Sequence, residues 1–288
     1  MVDTSRRNHL LGLPPARHTG MWREIITPSR THTQHGTNSP DPIGQGCLGS
    51  RSNIADKSGY WGCYRQRMEA GATDRMKSSL PSSSSSGPGP KSHPGATSDE
   101  TIPGRIHMTT TPSNLCFVVE GQDHTSLTPK EKAYWFREFD SLVTQWITDL
   151  ANAGPDQGVL DKKLCAEVDS GRFSPPSLVE QTSQRTAKGG EEESRMEILT
   201  FNRKLQFFWF RDLRAMETIG KRNAGHVELR KKFLGAYGPG GEMSGEGDAG
   251  IRLWVETSVL KGGEVECEYV GCWAGTGLMG FEGEEGFC

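Results

Sequence analysis

No stretch of this chain approaches the roughly 20 consecutive apolar residues that a membrane-spanning helix needs. The first 30 residues hold no apolar run of about 7–15 residues, so a secretory signal is not expected. No Asn-x-Ser/Thr acceptor occurs, and the seven cysteines are odd in number and scattered, unlike the dense even set of a disulfide-stapled secreted domain. An intracellular protein with reduced thiols follows, in cytoplasm or nucleus. The Arg-rich first 40 residues resemble a mitochondrial transit peptide, but Pro14-Pro15 interrupts the amphipathic helix such a peptide requires.

Motifs of known chemistry are equally scarce. There is no G-x-S-x-G, HExxH or P-loop. His32-x2-His35 and Cys267-x4-Cys272 lack the second pair that a structural zinc site wants. Gly275-x-Gly277-x-x-Gly280 matches a dinucleotide fingerprint, but too few residues follow it for the helix, strand and acid that complete such a site, and a second match at Gly245 precedes a strand. Cys116 and Cys165 lie in or beside apolar segments, as small core residues do. No cofactor, metal or catalytic set is expected.

Large aliphatic and aromatic residues are also thin. Leu, Ile, Val and Phe make up about 18% of the chain, while Gly (36) and Pro (16) are in excess. The net charge of −3 divides into +5 over residues 1–107, zero over 108–235 and −8 over 236–288. The Ser/Gly/Pro run over residues 80–94 reads as a linker, unable to offset roughly 1–2 kcal/mol of backbone entropy per ordered residue. Thr-Pro and Ser-Pro pairs at Thr27, Ser39, Thr111, Thr128 and Ser174 are candidate phosphosites.

Against that background the middle of the chain stands out. Thr128, Pro129 and Glu131 form a capping box, and Trp135, Phe136, Phe139, Leu142, Val143, Trp146, Ile147 and Leu150 line one face of a helix ending near Ala153-Gly154-Pro155. Leu160, Leu164 and Val168 predict a shorter helix from Gln157 to Val168. A third helix is predicted over about 192–219, with Asp212 marking a break or needing a partner, and a fourth from His226 to Leu234. Alternation over 251–260 and 265–269 around Lys261-Gly262-Gly263 predicts a β-hairpin, marginal on its own.

The expected fold class is therefore mainly α with extensive disorder. Residues 1–111 form a disordered basic region, and residues 112–235 a helical module of two long amphipathic helices plus one or two short ones. Residues 236–288 form a Gly-rich acidic tail with a candidate hairpin over 251–273. The function read from this pattern is a non-enzymatic protein-interaction module that takes no small-molecule substrate. It presents Trp135, Phe139, Trp146, Phe207 and Phe210 to an unidentified protein partner. A second reading gives Arg203, Lys204, Arg211 and Arg214, within the basic stretch 195–232, to nucleic acid. A third reads the composition changes near 107 and 235 as a partly mispredicted open reading frame without a discrete activity.

Overall fold

A computed structural model describes residues 20–57, 63–80, 101–176, 197–245, 249–284 and 286–288. Its elements are the strands β1 (Met21–Ile26), β2 (Thr33–Thr37), β3 (Arg105–Met108), β4 (Leu115–Asp123), β5 (Val159–Arg172), β6 (Phe201–Phe210), β7 (Arg252–Leu260) and β8 (Val265–Val270). The helices are α1 (Cys63–Arg67), α2 (Pro129–Glu138), α3 (Asp140–Asn152), α4 (Leu213–Arg222) and α5 (Ala224–Tyr237). A five-stranded antiparallel sheet runs β2-β7-β4-β6-β5, and a three-stranded antiparallel sheet runs β1-β8-β3.

The central strands of the large sheet, β4, β6 and β7, are largely covered on both faces, and this explains their sequence. Cys116 pairs with Phe210 and Val118 with Phe208 on the face that carries the helices, where Ile147, Leu150 and Leu213 complete the core. The alternate residues Leu115 and Trp209 face the small sheet, where they meet Met108, Val265, Tyr269 and Leu278. Strands covered on both sides read as continuous apolar runs instead of alternating ones. Each large side chain sealed this way contributes roughly 1.5–3 kcal/mol.

The mainly α expectation is therefore overturned: the protein is a mixed fold built on two antiparallel sheets. The segment Phe201–Phe210 is a strand because its apolar residues alternate between two covered faces; among the described residues of the third predicted helix, Glu197–Thr200 form a short 3-10 turn and the α-helix begins at Leu213 and runs to Arg222. Val159–Arg172, drawn as a short helix, is the edge strand β5, entered through Gly158 at φ +85°. The long predicted helix is present with a kink at Phe139, and Thr128 accepts from Glu131 N at 3.1 Å as its cap. The fourth is α5. Asp212 marks a true boundary, accepting from Ala215 N at 2.6 Å as the cap of α4.

The flanking segments do not stay loose within the described residues. β1 and β3 pair with β8, and β2 with β7, so the front of the chain is zipped to its back. That mutual pairing also removes the ground for treating the flanks as mispredicted. β7 and β8 do not pair with each other; the turn at 261–264 passes the chain from one sheet to the next. The linker over 80–94 lies, from residue 81 on, outside the described residues.

Glu24 on β1 locks the two sheets together. Its carboxylate accepts from Tyr269 Oη at 2.8 Å, Trp209 Nε1 at 3.1 Å and Leu278 N at 3.2 Å. Truncating it orphans two sequestered donors, Tyr269 Oη and Trp209 Nε1, each costing about 1–3 kcal/mol when left unmade, while Leu278 N keeps its bond to Tyr269 Oη at 2.9 Å. Glu24→Ala is expected to lower the unfolding free energy by at least about 2 kcal/mol. A urea midpoint within error of the wild type would refute that assignment.

Candidate functional site

A cavity lies between the helical face of the large sheet and the helices above it. Val118 and Glu120 of β4 and Phe208 and Phe210 of β6 form its floor. Cys63 and Tyr64 of α1, Trp146 and Leu150 of α3, Met216, Glu217, Ile219 and Gly220 of α4, and His226 and Arg230 of α5 form the walls. It encloses about 40 Å³, room for a few water molecules.

His226 is the most strongly positioned group in it. Asn223 caps α5 by accepting from His226 N at 2.8 Å, which fixes the backbone of the first turn. The same Asn223 donates to Asp149 Oδ2 at 2.5 Å, tying the helix junction to α3. The imidazole Nδ1 lies 2.9 Å from Gly220 O, a carbonyl of the last turn of α4, and the ring stacks on Trp146 at 4.0 Å and 15°. Burial pushes the imidazole down to about 4, against the Gly220 bond and with help from the Arg230 charge. The ring is therefore neutral near pH 7. Donation from Nδ1 to a carbonyl leaves Nε2 as the nitrogen with a lone pair, the arrangement of a metal-ligating histidine and its supporting acceptor.

Glu120 is the second unusual group. Desolvation raises its carboxyl to about 7, partly opposed by the positive charge of Arg230. Its cross-strand partner on the same face, Gln206, has both Oε1 and Nε2 buried without a hydrogen-bond partner among the described residues. Buried amides are normally satisfied, so a polar ligand group is expected nearby. Tyr64 is held protonated by burial, which keeps its oxygen from acting as a phenolate ligand.

The residues expected from sequence to form a surface lie mostly elsewhere. Trp135 and Phe139 are buried with Phe173, Ala236 and Ile251 at the far end of the helical layer. Trp146 and Phe210 are buried in the cavity wall and floor, and the half-buried Phe207 stacks on Phe117 on the opposite face of the sheet. No aromatic helix face is left to present to a partner by these residues. Arg203 pairs with Asp123 and Glu167 at 2.7 Å, while Lys204 is buried with its Nζ on the carbonyls of Leu199 and Phe201. Only Arg211 and Arg214 share a surface. His226 was visible in the sequence only as a helix boundary; its place three residues after a capping Asn was the available signal. Glu120 was a lone acid in an apolar strand.

The mixed fold thus holds a neutral, carbonyl-supported histidine and a protonatable carboxyl in the lining of one cavity. Residues 8–278 match the haem-containing dehydratases, and the chain belongs to that family. No curated protein matches it. Two solved aldoxime dehydratases share the fold: one, crystallised with butyraldoxime, has 18% identity and a TM-score of 0.63, and the other 17% and 0.64. Each comparison covers 90% of this chain, against 60% and 61% of theirs, so the chain spans about three-fifths of their length. Membership of an enzyme family overturns the reading as a non-enzymatic, largely disordered interaction module, and with it the nucleic-acid alternative and the expectation of no small-molecule substrate.

The cavity's donors suit haem. Histidine is a common axial ligand, and His226 has the required neutral ring and outer hydrogen bond. Trp146, Phe208, Phe210, Met216 and Ile219 offer the apolar walls a macrocycle needs, and the orphaned amide of Gln206 lies beside Glu120 at the floor.

Proposed function

We propose that this protein is a haem-dependent dehydratase that removes water from a small, apolar aldoxime. The observation that carries the reading is His226, neutral and supported by Gly220 O, in one cavity with Glu120. His226 would hold the haem iron through Nε2, and Arg230 offers positive charge to a propionate. The enclosed space is smaller than the macrocycle, so the side walls from α1 and α4 are expected to part as it enters.

Haem, when bound, supplies an iron that coordinates the substrate and polarises its N–O bond. The chain's own residues handle the proton. The net change converts R–CH=N–OH to R–C≡N and water: the N–O bond breaks, the hydroxyl gains a proton and the carbon gives one up. Glu120, protonated below about pH 7, donates to the departing hydroxyl, and the resulting carboxylate takes the proton released from carbon. Desolvation holds its acidity close to neutral, where proton transfer in both directions is efficient. Val118, Leu150, Phe208 and Ile219 favour an apolar R group and exclude water from the reacting atoms.

Purified chain loaded with haem and incubated anaerobically with butyraldoxime, with and without a reductant, is expected to yield the corresponding nitrile stoichiometrically with substrate loss. Haem-loaded protein that leaves the aldoxime intact under both conditions would count against the reading.

A further inference from the structure

Arg211 and Arg214, left over from the basic stretch of the sequence, meet other cations across a groove of about 1260 Å³. The groove runs between the segment 71–80 and α4, outside the cavity described above. Arg65, Arg75, Lys77 and Arg222 also line it, against Asp74, Asp156 and Asp212. Most of the negative charge is already engaged. Asp74 accepts from His32 at 3.0 Å, Lys261 at 2.9 Å and Met76 N at 2.7 Å, and Asp212 caps α4. Arg65 is engaged too, with Glu217 at 3.4 Å and the Arg75 carbonyl at 3.0 Å.

Five cations remain. Arg75, Lys77, Arg211, Arg214 and Arg222 make no ion pair among the described residues. Arg75, Lys77, Arg214 and Arg222 are exposed, whereas Arg211 is half-buried, and its Nη1 is sealed from solvent with no acceptor. A desolvated guanidinium N–H without a partner is costly, and such a group normally has an oxygen to bond. None of the described residues supplies one.

We propose that this groove binds a small phosphorylated molecule, with Arg211 taking phosphate oxygens at the floor and Arg75, Lys77, Arg214 and Arg222 neutralising the remaining charge. Guanidinium forks match phosphate geometry bidentately, and five cations facing one uncommitted carboxylate, Asp156, suit a ligand of several negative charges better than a monocarboxylate. This site stands independently of the haem cavity.

The test is calorimetric titration of the full chain with pyrophosphate at low ionic strength, with citrate as the polycarboxylate probe. Saturable pyrophosphate binding is expected, stronger than that of citrate and weakening as salt is raised. Arg211→Gln and the exposed Arg214→Gln should each weaken it about tenfold or more. No saturable binding, equal binding by Arg214→Gln, or citrate binding at least as tight would overturn the proposal.

Discussion

Replacing His226 with alanine is expected to remove the axial ligand and with it the Soret spectrum of a histidine-ligated haem. Loss of even an outer-sphere partner typically weakens metal binding about 10–100-fold, and losing the ligand itself should exceed that. Truncation also removes a ring stacked on Trp146 and bonded to Gly220 O, so the folded state must be checked separately. Free imidazole provides that check. Diffusing into the space left by the side chain, it should restore the spectrum, which a globally unfolded variant would not allow. A His226→Ala protein with an unchanged haem spectrum would show that another residue carries the iron. The depressed basicity of the buried imidazole also means that ligation is expected to persist below the usual histidine range.

The second large effect is at Glu120. Glu120→Gln keeps the shape and the cavity but removes the transferable proton, and loss of a positioned acid costs about 10²–10⁴-fold in rate. Wild-type turnover should fall as pH rises through about 7, where the carboxyl ionises, and this limb should vanish in the variant. Stability gives an independent reading. Burial raises the folded pKa above the unfolded one, so between about 4.5 and 7 the native state binds more protons than the unfolded state. Glu120 therefore subtracts stability progressively as pH rises across that window. Glu120→Gln is expected to flatten this dependence and to be relatively more stable at pH 8 than at pH 5. A variant with wild-type rate and an unaltered pH profile would remove Glu120 from the chemistry.

Local signals in the sequence were sound where one element explains itself. The Thr128 cap with Pro129, the boundary at Asp212 and the helix around His226 all depend on residues within one turn of each other, and all three are present. Strand partners are another matter. Met21 faces Val270 and Thr33 faces Ser258, pairings that no local pattern reveals. The N-terminal strands are short and polar enough to resemble a linker, and their order derives from β7 and β8. β6 misled for a different reason: Phe207, Phe208, Trp209 and Phe210 supply apolar surface to both sides of a covered sheet, and such a run satisfies helical spacing as readily as strand spacing. β5 gave a similar false helix because Leu160, Leu164 and Val168 happen to fall four apart. The cavity was illegible because its two key residues come from β4 and α5, over a hundred positions apart, and neither belongs to a motif.

Titration of the purified chain with hemin, followed by absorbance and by resonance Raman scattering in the iron–histidine region, bears most directly on the assignment of the cavity. One equivalent per chain, a histidine-bound spectrum and its loss on His226→Ala are the expected results. Non-saturable hemin uptake, or a saturable complex with no iron–histidine signature, would contradict it.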